Sequence, residues 1–256
     1  CQKKEQEIPP PGRVIIEGRV LSFEAPGPEI QVESKNFSYT NKYLVQPDSI
    51  GRFTLKINKY YPGEWTLHIA DTSFPLFSSP GDILQIKLQQ NTANWNIEVE
   101  GDTTGYSNWL PSYRDFFQTT PAVLSDSLIQ HTNFQNYQQI VSSLSAAKNQ
   151  LLSNFQKQSH CSEHFIEWAQ QGNQYFSVVK LLEYRWMHPL LNNQDPIESV
   201  PGSYHTKFLK DIKLSDKEAL STSGYNQFLK EYGHLLDLQL YKQRDPEKPV
   251  TYKQRI

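Results

Sequence analysis

The chain is poor in sulfur. Its 256 residues include one methionine and two cysteines, Cys1 and Cys161. So few cysteines exclude a framework of several disulfides and a zinc ribbon, and no Cys-x-x-Cys pair occurs. Long apolar runs are missing too, because no stretch approaches the roughly 20 apolar residues of a membrane-spanning helix. The sequence therefore predicts that no segment crosses a bilayer.

A large charge of one sign is also absent. The chain carries 25 basic and 27 acidic side chains, which gives a net charge of −2. Nucleic-acid binding needs a clustered positive excess, so this balance argues against a nucleic-acid partner. The catalytic and phosphate-binding motifs GxSxG, GxGxxG, GxxxxGK[ST] and HExxH do not occur either. We predict no catalytic residue and no metal.

The first half of the chain has the pattern of short β-strands. Segments such as RVIIEGRVL, GRFTLKI and DILQIKL alternate apolar and polar residues, and Gly, Pro, Asp and Ser separate them. The stretch from Pro47 to Gly51 lies between two such segments and predicts a hairpin connection. Roughly seven or eight strands at this spacing predict an antiparallel β-sandwich.

Beyond residue 101 the apolar period becomes helical, after a transition over residues 103–117. The predicted helices are 134–156, one from Ser159 or Ser162 to just before Pro189, 204–212, 214–221 and 223–243. We therefore predict an α+β protein, an N-terminal antiparallel β-sandwich followed by an all-helical segment. Its parts are a tether (1–12), a β-sandwich domain (13–101), a helical domain (102–244) and a polar tail (245–256).

The sequence opens with CQKKEQEIPPP, a cysteine followed by polar, charged and then proline-rich residues. Such a segment is expected to be an extended spacer. A terminal cysteine on a polar tether ahead of a folded domain resembles a mature bacterial lipoprotein. The resemblance implies a covalent lipid on Cys1, no other cofactor, and anchoring in the outer membrane. More than one acyl chain makes such an anchor stable.

The charged residues behind the cysteine resemble the surface-export signal of Bacteroidota lipoproteins. They are Lys3, Lys4, Glu5 and Glu7. This resemblance implies exposure on the outer face of the outer membrane. Without such a signal, the anchored protein faces the periplasm.

Several motifs resemble the TlpA-type, thioredoxin-like lipoproteins of Bacteroidota. GRVL at 18–21, DSIGRF at 48–53 and FSSPGDIL at 77–84 resemble their β domain, and residues 162–171 and 204–232 resemble their helical segment. The family's chemistry lies in a C-terminal redoxin domain with a Cys-x-x-Cys at a helix N-terminus. No such unit occurs here. The redox activity is expected only if the chain belongs to a longer protein that carries this unit.

Two groups of side chains are candidate sites. His160, Cys161 and His164 place metal-binding or nucleophilic groups near a helix start. A zinc site needs three or four converging ligands, so helix decoration is the favoured interpretation. Tyr60 and Tyr61 precede Pro62-Gly63 and predict either an aromatic interaction tip or a turn that packs on a neighbour.

These observations favour a non-enzymatic accessory subunit of a cell-envelope complex. The expected partner is an outer-membrane β-barrel, other lipoproteins, or both. Two alternatives stay open: a truncated or degenerate TlpA-type thiol-disulfide oxidoreductase, and a lipoprotein that binds a glycan or a peptide through an aromatic helical face.

Overall fold

The computed structural model describes residues 12–21, 27–35, 40–91, 94–100, 104–119, 125–194, 207–217 and 219–244. Strands precede helices in these ranges, which confirms the predicted α+β class. The strands are β1 (Gly12–Leu21), β2 (Ile30–Lys35), β3 (Thr40–Val45), β4 (Arg52–Lys59), β5 (Gly63–Ile69), β6 (Thr72–Ser78), β7 (Ile83–Asn91) and β8 (Asn94–Glu100). The helices are α1 (Tyr106–Thr119), α2 (Asp126–His131), α3 (Phe134–Gln158), α4 (Glu163–Leu191) and α5 (Ser223–Arg244). None of these helices has both the length and the apolar character that a bilayer span requires.

The strands form two four-stranded sheets. Sheet A has the order β4-β1-β7-β8, and sheet B has the order β3-β2-β5-β6. Neighbouring strands are antiparallel except for β1 and β7, which run parallel. A parallel pair needs a long crossover connection, and the chain between β1 and β7 contains five strands, β2 to β6.

The facing sides of the two sheets form one apolar core. β1 buries Val14, Ile16 and Val20 at the positions that its alternating sequence predicts. The other members of this core include Phe53, Leu55, Ile57, Val32, Trp65, Leu67, Leu84, Ile86 and Leu88. Burying one such side chain contributes about 1.5–3 kcal/mol, so this shared core is the main force that holds the sheets together.

The turn predicted between β3 and β4 is present, but it does not make a hairpin. The Asp48 side chain accepts hydrogen bonds from the backbone N–H groups of Ile50 (3.0 Å) and Arg52 (2.8 Å). Gly51 has a φ of 80°, which glycine adopts without strain. β3 belongs to sheet B and β4 to sheet A. The turn therefore carries the chain from one sheet to the other, so that the apolar sides of both strands reach the same core.

The outer side of sheet B carries an aromatic cluster. Phe77 of β6 is only 3% exposed, and its ring centre lies 5.7 Å from that of Tyr106, 5.5 Å from Phe165 and 5.1 Å from Trp168. These residues belong to one compact unit, which contains the described residues up to Pro111 together with Phe155–Trp168. The start of α1 and the start of α4 thus cover sheet B at β6.

The second compact unit contains Ser112–Asn154 and the described residues from Ala169 onward. In this unit α4 packs on two sides at once. One side meets α5 and the preceding 3-10 turns, and the other meets α2 and α3. The aromatic residues Tyr175, Tyr184 and Trp186 are all buried, as their helical spacing predicts for core residues.

The helix boundaries differ from the sequence predictions at several points. The pattern did not predict α1, because Pro111 lies inside it and an interior proline removes a backbone hydrogen bond. It also missed α2, whose six residues are too few to show a period. Pro189 lies within the last turn of α4 instead of just beyond the helix. The described parts of 204–212 and 214–221 form 3-10 turns, Lys207–Asp211 and Ala219–Ser221, instead of α-helices.

Replacing Gly18 tests the packing of sheet A. Gly18 lies opposite Phe53, and a methyl group at Gly18 would lie 2.1 Å from Cζ of that ring. We expect Gly18→Ala to displace the buried ring and to lower the free energy of unfolding by roughly 1–3 kcal/mol, measured by urea denaturation. Gly172→Ala is the control, because its methyl group has no neighbour within 4 Å and alanine favours the helix. Equal stability of Gly18→Ala and the parent protein would contradict this packing.

Candidate functional site

The predicted lipid attachment residue and export signal lie outside the described residues. These are Cys1, Lys3, Lys4, Glu5 and Glu7. Their proposed roles remain predictions.

His160, Cys161 and His164 do not share a helical face. α4 begins at Glu163, and Ser162 caps it by accepting a hydrogen bond from the backbone N–H of Phe165 (3.2 Å). His160 and Cys161 therefore precede the helix, and His164 lies beside Glu167, 3.9 Å from its carboxylate. Across the described part of the chain, no three His, Cys, Asp or Glu residues converge as a metal site would require. Burial raises the pKa of the Cys161 thiol, which disfavours the reactive thiolate.

The tyrosine tip between β4 and β5 is partly exposed. Tyr60 has 48% of its surface in solvent, whereas Tyr61 is half-buried. Tyr60 is therefore accessible to a partner. The tip lies at the end of sheet A where β1 begins, because Lys59 is paired with Gly12.

A polar cluster lies directly beside this tip. The ammonium group of Lys59 donates a hydrogen bond to the backbone carbonyl of Gly63 (2.7 Å) and lies 3.5 Å from Oγ of Ser78. It also lies 4.3 Å from the centre of the Trp65 ring, whose Nε1 donates to the same Ser78 oxygen at 2.7 Å. Burial lowers the pKa of Lys59 from 10.5 to about 7, although the carboxylates of Asp82 and Glu64 act in the opposite direction.

Glu64 connects this cluster to α1. Its Oε1 accepts a hydrogen bond from the Tyr106 hydroxyl at 2.6 Å. Although part of Glu64 is exposed, desolvation raises the pKa of its carboxyl group, against the opposing effects of Tyr106 and Lys59. Lysines and carboxylates with shifted pKa values are common in catalytic sites.

Burial of the Lys59 cluster limits the reactions that it could catalyse, because a substrate must be able to reach the nucleophile. A neutral lysine beside a serine hydroxyl is one arrangement that activates a nucleophile. Ser78, however, is completely buried, and its oxygen already accepts the Trp65 hydrogen bond. The cluster joins the end of β4 in sheet A to β5 and β6 in sheet B. We interpret it as a polar link between the sheets.

A second cluster on sheet B has the components of a hydrolase triad. Nδ1 of His68 lies 2.8 Å from Oγ of Ser73, and its Nε2 lies 3.9 Å from Oε2 of Glu33. The second distance is too long for the hydrogen bond with which a carboxylate orients a catalytic histidine. Glu33 also lies 3.7 Å from the ammonium group of Lys42. We interpret this group as a polar cluster on the strand surface.

The outer side of sheet A carries the most strongly charged surface among the described strands. One part of this side, which we call the basic face, consists of the outward residues Arg13, Ile15, Glu17 and Arg19 of β1, Arg52, Thr54, Lys56 and Asn58 of β4, and Ile83 of β7. These residues are exposed, except for the half-buried Ile15. The basic face holds four cations and one carboxylate, in a chain whose net charge is −2. Beside it on the same side of the sheet, Lys87, Glu98 and Glu100 add one cation and two carboxylates.

Arg19 and Arg52 lie directly opposite each other on neighbouring strands. The next residue pair is hydrogen-bonded, since the backbone N–H of Val20 donates to the carbonyl of Gly51 at 2.8 Å. Pairs alternate along an antiparallel ladder, so the two arginines form a non-hydrogen-bonded pair, with Cα atoms about 4.5 Å apart and side chains closer than elsewhere. Opposite charges at such positions contribute roughly 0.2–1 kcal/mol, and like charges destabilise the sheet.

No sequence motif marks Lys59, Glu64 or the two arginines as site residues. The alternation of β1 and β4 was sufficient to place Arg19 and Arg52 on outward positions. It could not show that the two strands are paired in this register. The Lys59 cluster depends on the pairing of β5 with β6, which is equally invisible in a single sequence.

Comparison with known proteins leaves the family open: no protein-family model matches the chain, and no curated protein matches it. The resemblance to TlpA-type lipoproteins therefore remains an expectation. The geometry of the described residues is the basis for a functional proposal.

Lys59 predicts a specific dependence of stability on pH. Its pKa is about 7 in the folded chain and near 10.5 in an exposed lysine. Between these values the unfolded state binds more protons, so stability rises with pH, by at most about 1.4 kcal/mol per pH unit. We expect the parent protein to gain stability between pH 7 and pH 8.5 relative to Lys59→Met, as measured by urea denaturation at both values.

Lys56→Met is the matched control for this experiment, because Lys56 is exposed on the same strand. Its pH profile is expected to follow that of the parent protein. Identical profiles for the parent and Lys59→Met would show that Lys59 is not desolvated.

Proposed function

We propose that the protein is a non-enzymatic accessory subunit of a cell-envelope complex, and that the basic face of sheet A is the surface that contacts its partner. One observation carries this proposal: the basic face combines exposed arginines with an exposed aliphatic side chain. Ile83 has 53% of its surface in solvent and lies beside Ile15. Arginine is enriched at protein interfaces, and an apolar centre with a polar rim is typical of them.

The area of the basic face shows that a stable protein interface would need further surface from this chain. The basic face lies on three strands, β4, β1 and the start of β7. Three strands at about 4.8 Å spacing, and outward residues over about 20 Å of strand, give roughly 300 Å² in projection. A stable interface buries about 800 Å² on each partner. The basic face therefore supplies about a third of such an interface. Tyr60, which follows β4 directly and is exposed, is a suitable extension.

The resemblance of CQKKEQE to lipoprotein N-termini makes the cell envelope the place to look for the partner. An anchor on Cys1 in the outer membrane would hold the sandwich close to other membrane-attached proteins. The expected partner is an outer-membrane β-barrel or a companion lipoprotein.

Ligand binding is the second candidate function, and one feature of the helical unit favours it. A groove of about 600 Å³ is lined by Phe116, Asn136, Gln139, Ile140, Ser143, Leu144 and Ala147. Amide and hydroxyl groups beside apolar side chains suit a glycan or an extended peptide. Of the helical aromatic residues expected for this role from the sequence, Tyr175, Tyr184 and Trp186 are buried, whereas Trp168 and Phe176 are half-buried.

A matched pair of surface variants tests the proposed function. Ile83 in sheet A and Leu44 in sheet B are both exposed apolar residues, at 53% and 56%. The C-terminally tagged protein is extracted gently from native membranes, and co-purifying proteins are quantified by mass spectrometry. Because an aspartate would bring a charge into the apolar centre of the contact, we expect Ile83→Asp to reduce the partner yield by about tenfold or more. Leu44→Asp is expected to retain the partner.

Equal partner yields for the two variants would exclude sheet A as the contact surface. Recovery of the tagged parent protein alone would contradict the accessory-subunit function and favour ligand binding in the groove. Loss of the partner in Leu44→Asp only would place the contact on sheet B.

A further inference from the structure

The Arg19–Arg52 pair has an unusual local environment. The two guanidinium groups extend from a non-hydrogen-bonded pair of strand positions and are both exposed. Among the described residues, no carboxylate lies within 4 Å of either guanidinium group, the distance at which the ion pairs of this chain occur. Two like charges are therefore held side by side without an ion-pair partner in the described chain.

The described acidic side chains around Arg19 and Arg52 either bind other groups or lie at a neighbouring strand position. Asp48 accepts two backbone hydrogen bonds in the turn before β4. Glu98 and Glu100 both pair with Lys87, which lies beside Arg19 on β7. Glu17 is one outward position away from Arg19 and faces Thr54 across the strands. Within the described parts of the chain, therefore, no carboxylate neutralises the two arginines.

We propose that Arg19 and Arg52 form a carboxylate-binding site for an acidic side chain on the surface of a folded protein partner. Each guanidinium group presents a planar set of N–H donors that matches the two oxygens of a carboxylate. A carboxylate between the two groups would receive hydrogen bonds from both and would remove their mutual repulsion. This inference rests on the proposed function, because it names the chemistry of the partner at the basic face.

The composition of the basic face favours a folded protein over other polyanions. Glu17 lies among the cations, and a uniformly negative membrane surface or polysaccharide would be repelled there. Ile15 and Ile83 form an apolar contact region next to the cations, which a hydrated polyanion does not fill. A protein surface can place a carboxylate opposite the arginines and apolar side chains opposite the isoleucines.

The experiment compares two double variants that remove the same charge from the same face. Arg19→Gln/Arg52→Gln eliminates the guanidinium pair, and Arg13→Gln/Lys56→Gln eliminates two cations that are not opposite each other. Fluorescent poly-L-glutamate supplies the side-chain carboxylate without the apolar surface of a folded partner, so it reports on the arginine pair without the isoleucines. Its binding to the purified protein is measured by anisotropy at low and at physiological salt. We expect the first variant to bind about tenfold more weakly or worse, and the second to lose about threefold or less.

Thermal unfolding separates binding from a structural role. Removing like charges that face each other is expected to leave the melting temperature of Arg19→Gln/Arg52→Gln unchanged or higher. A marked fall would assign the arginines to the stability of the sheet and overturn the proposal. Equal losses of poly-L-glutamate binding in the two double variants would also overturn it, since the effect would then be one of net charge alone.

Two further probes identify a different class of partner. Vesicles containing phosphatidylglycerol represent an anionic membrane, and dextran sulfate represents a sulfated polysaccharide. Tighter binding of either probe than of poly-L-glutamate, with loss in Arg19→Gln/Arg52→Gln, would overturn the carboxylate assignment. The co-purification experiment distinguishes failure of this inference from failure of the proposed function. A partner that is retained in Arg19→Gln/Arg52→Gln but lost in Ile83→Asp would contradict the carboxylate-binding site and leave the proposed function intact.

Discussion

The packing of Phe77 against Tyr106, Phe165 and Trp168 covers the outer side of sheet B at β6. Each sheet has two sides, and the shared core uses only one side of each. On sheet B the aromatic cluster buries the outward Phe77 almost completely. On sheet A, the outward residues of the described strands β1 and β4 are exposed, except for the half-buried Ile15. Sheet B is covered only in part, because Leu44 of β3 and Ser73 of β6 remain exposed on its outer side. The proposal for sheet A therefore rests on its charged and apolar side chains and not on exposure alone.

The polar clusters have a different role from the basic face. Lys59, Trp65 and Ser78 connect the two sheets next to the Tyr60 tip, and Glu64 connects sheet B to Tyr106. These bonds fix the end of the sandwich from which the tip projects. If the proposed partner binds there, a tip held in place by these bonds would lose less entropy on binding.

The sequence was sufficient for the parts of the fold that depend on local pattern. Alternation in RVIIEGRVL predicted the buried Val14, Ile16 and Val20, and helical spacing predicted a buried Tyr175 and Trp186. The sequence was insufficient to predict the contacts between segments that are distant along the chain. The parallel pairing of β1 with β7 and the passage of the chain between sheets after Asp48 depend on tertiary packing. The same limit applies to the candidate site, because only the register brings Arg19 opposite Arg52.

Site-specific photo-crosslinking in native membranes tests the use of sheet A most directly. A photoreactive phenylalanine analogue would replace Thr54, which is exposed in the middle of the basic face, or Ser73, which is exposed on the outer side of sheet B. Our account predicts a discrete protein adduct from position 54 and none from position 73. An adduct from position 73 alone, or adducts with lipid alone from position 54, would contradict it.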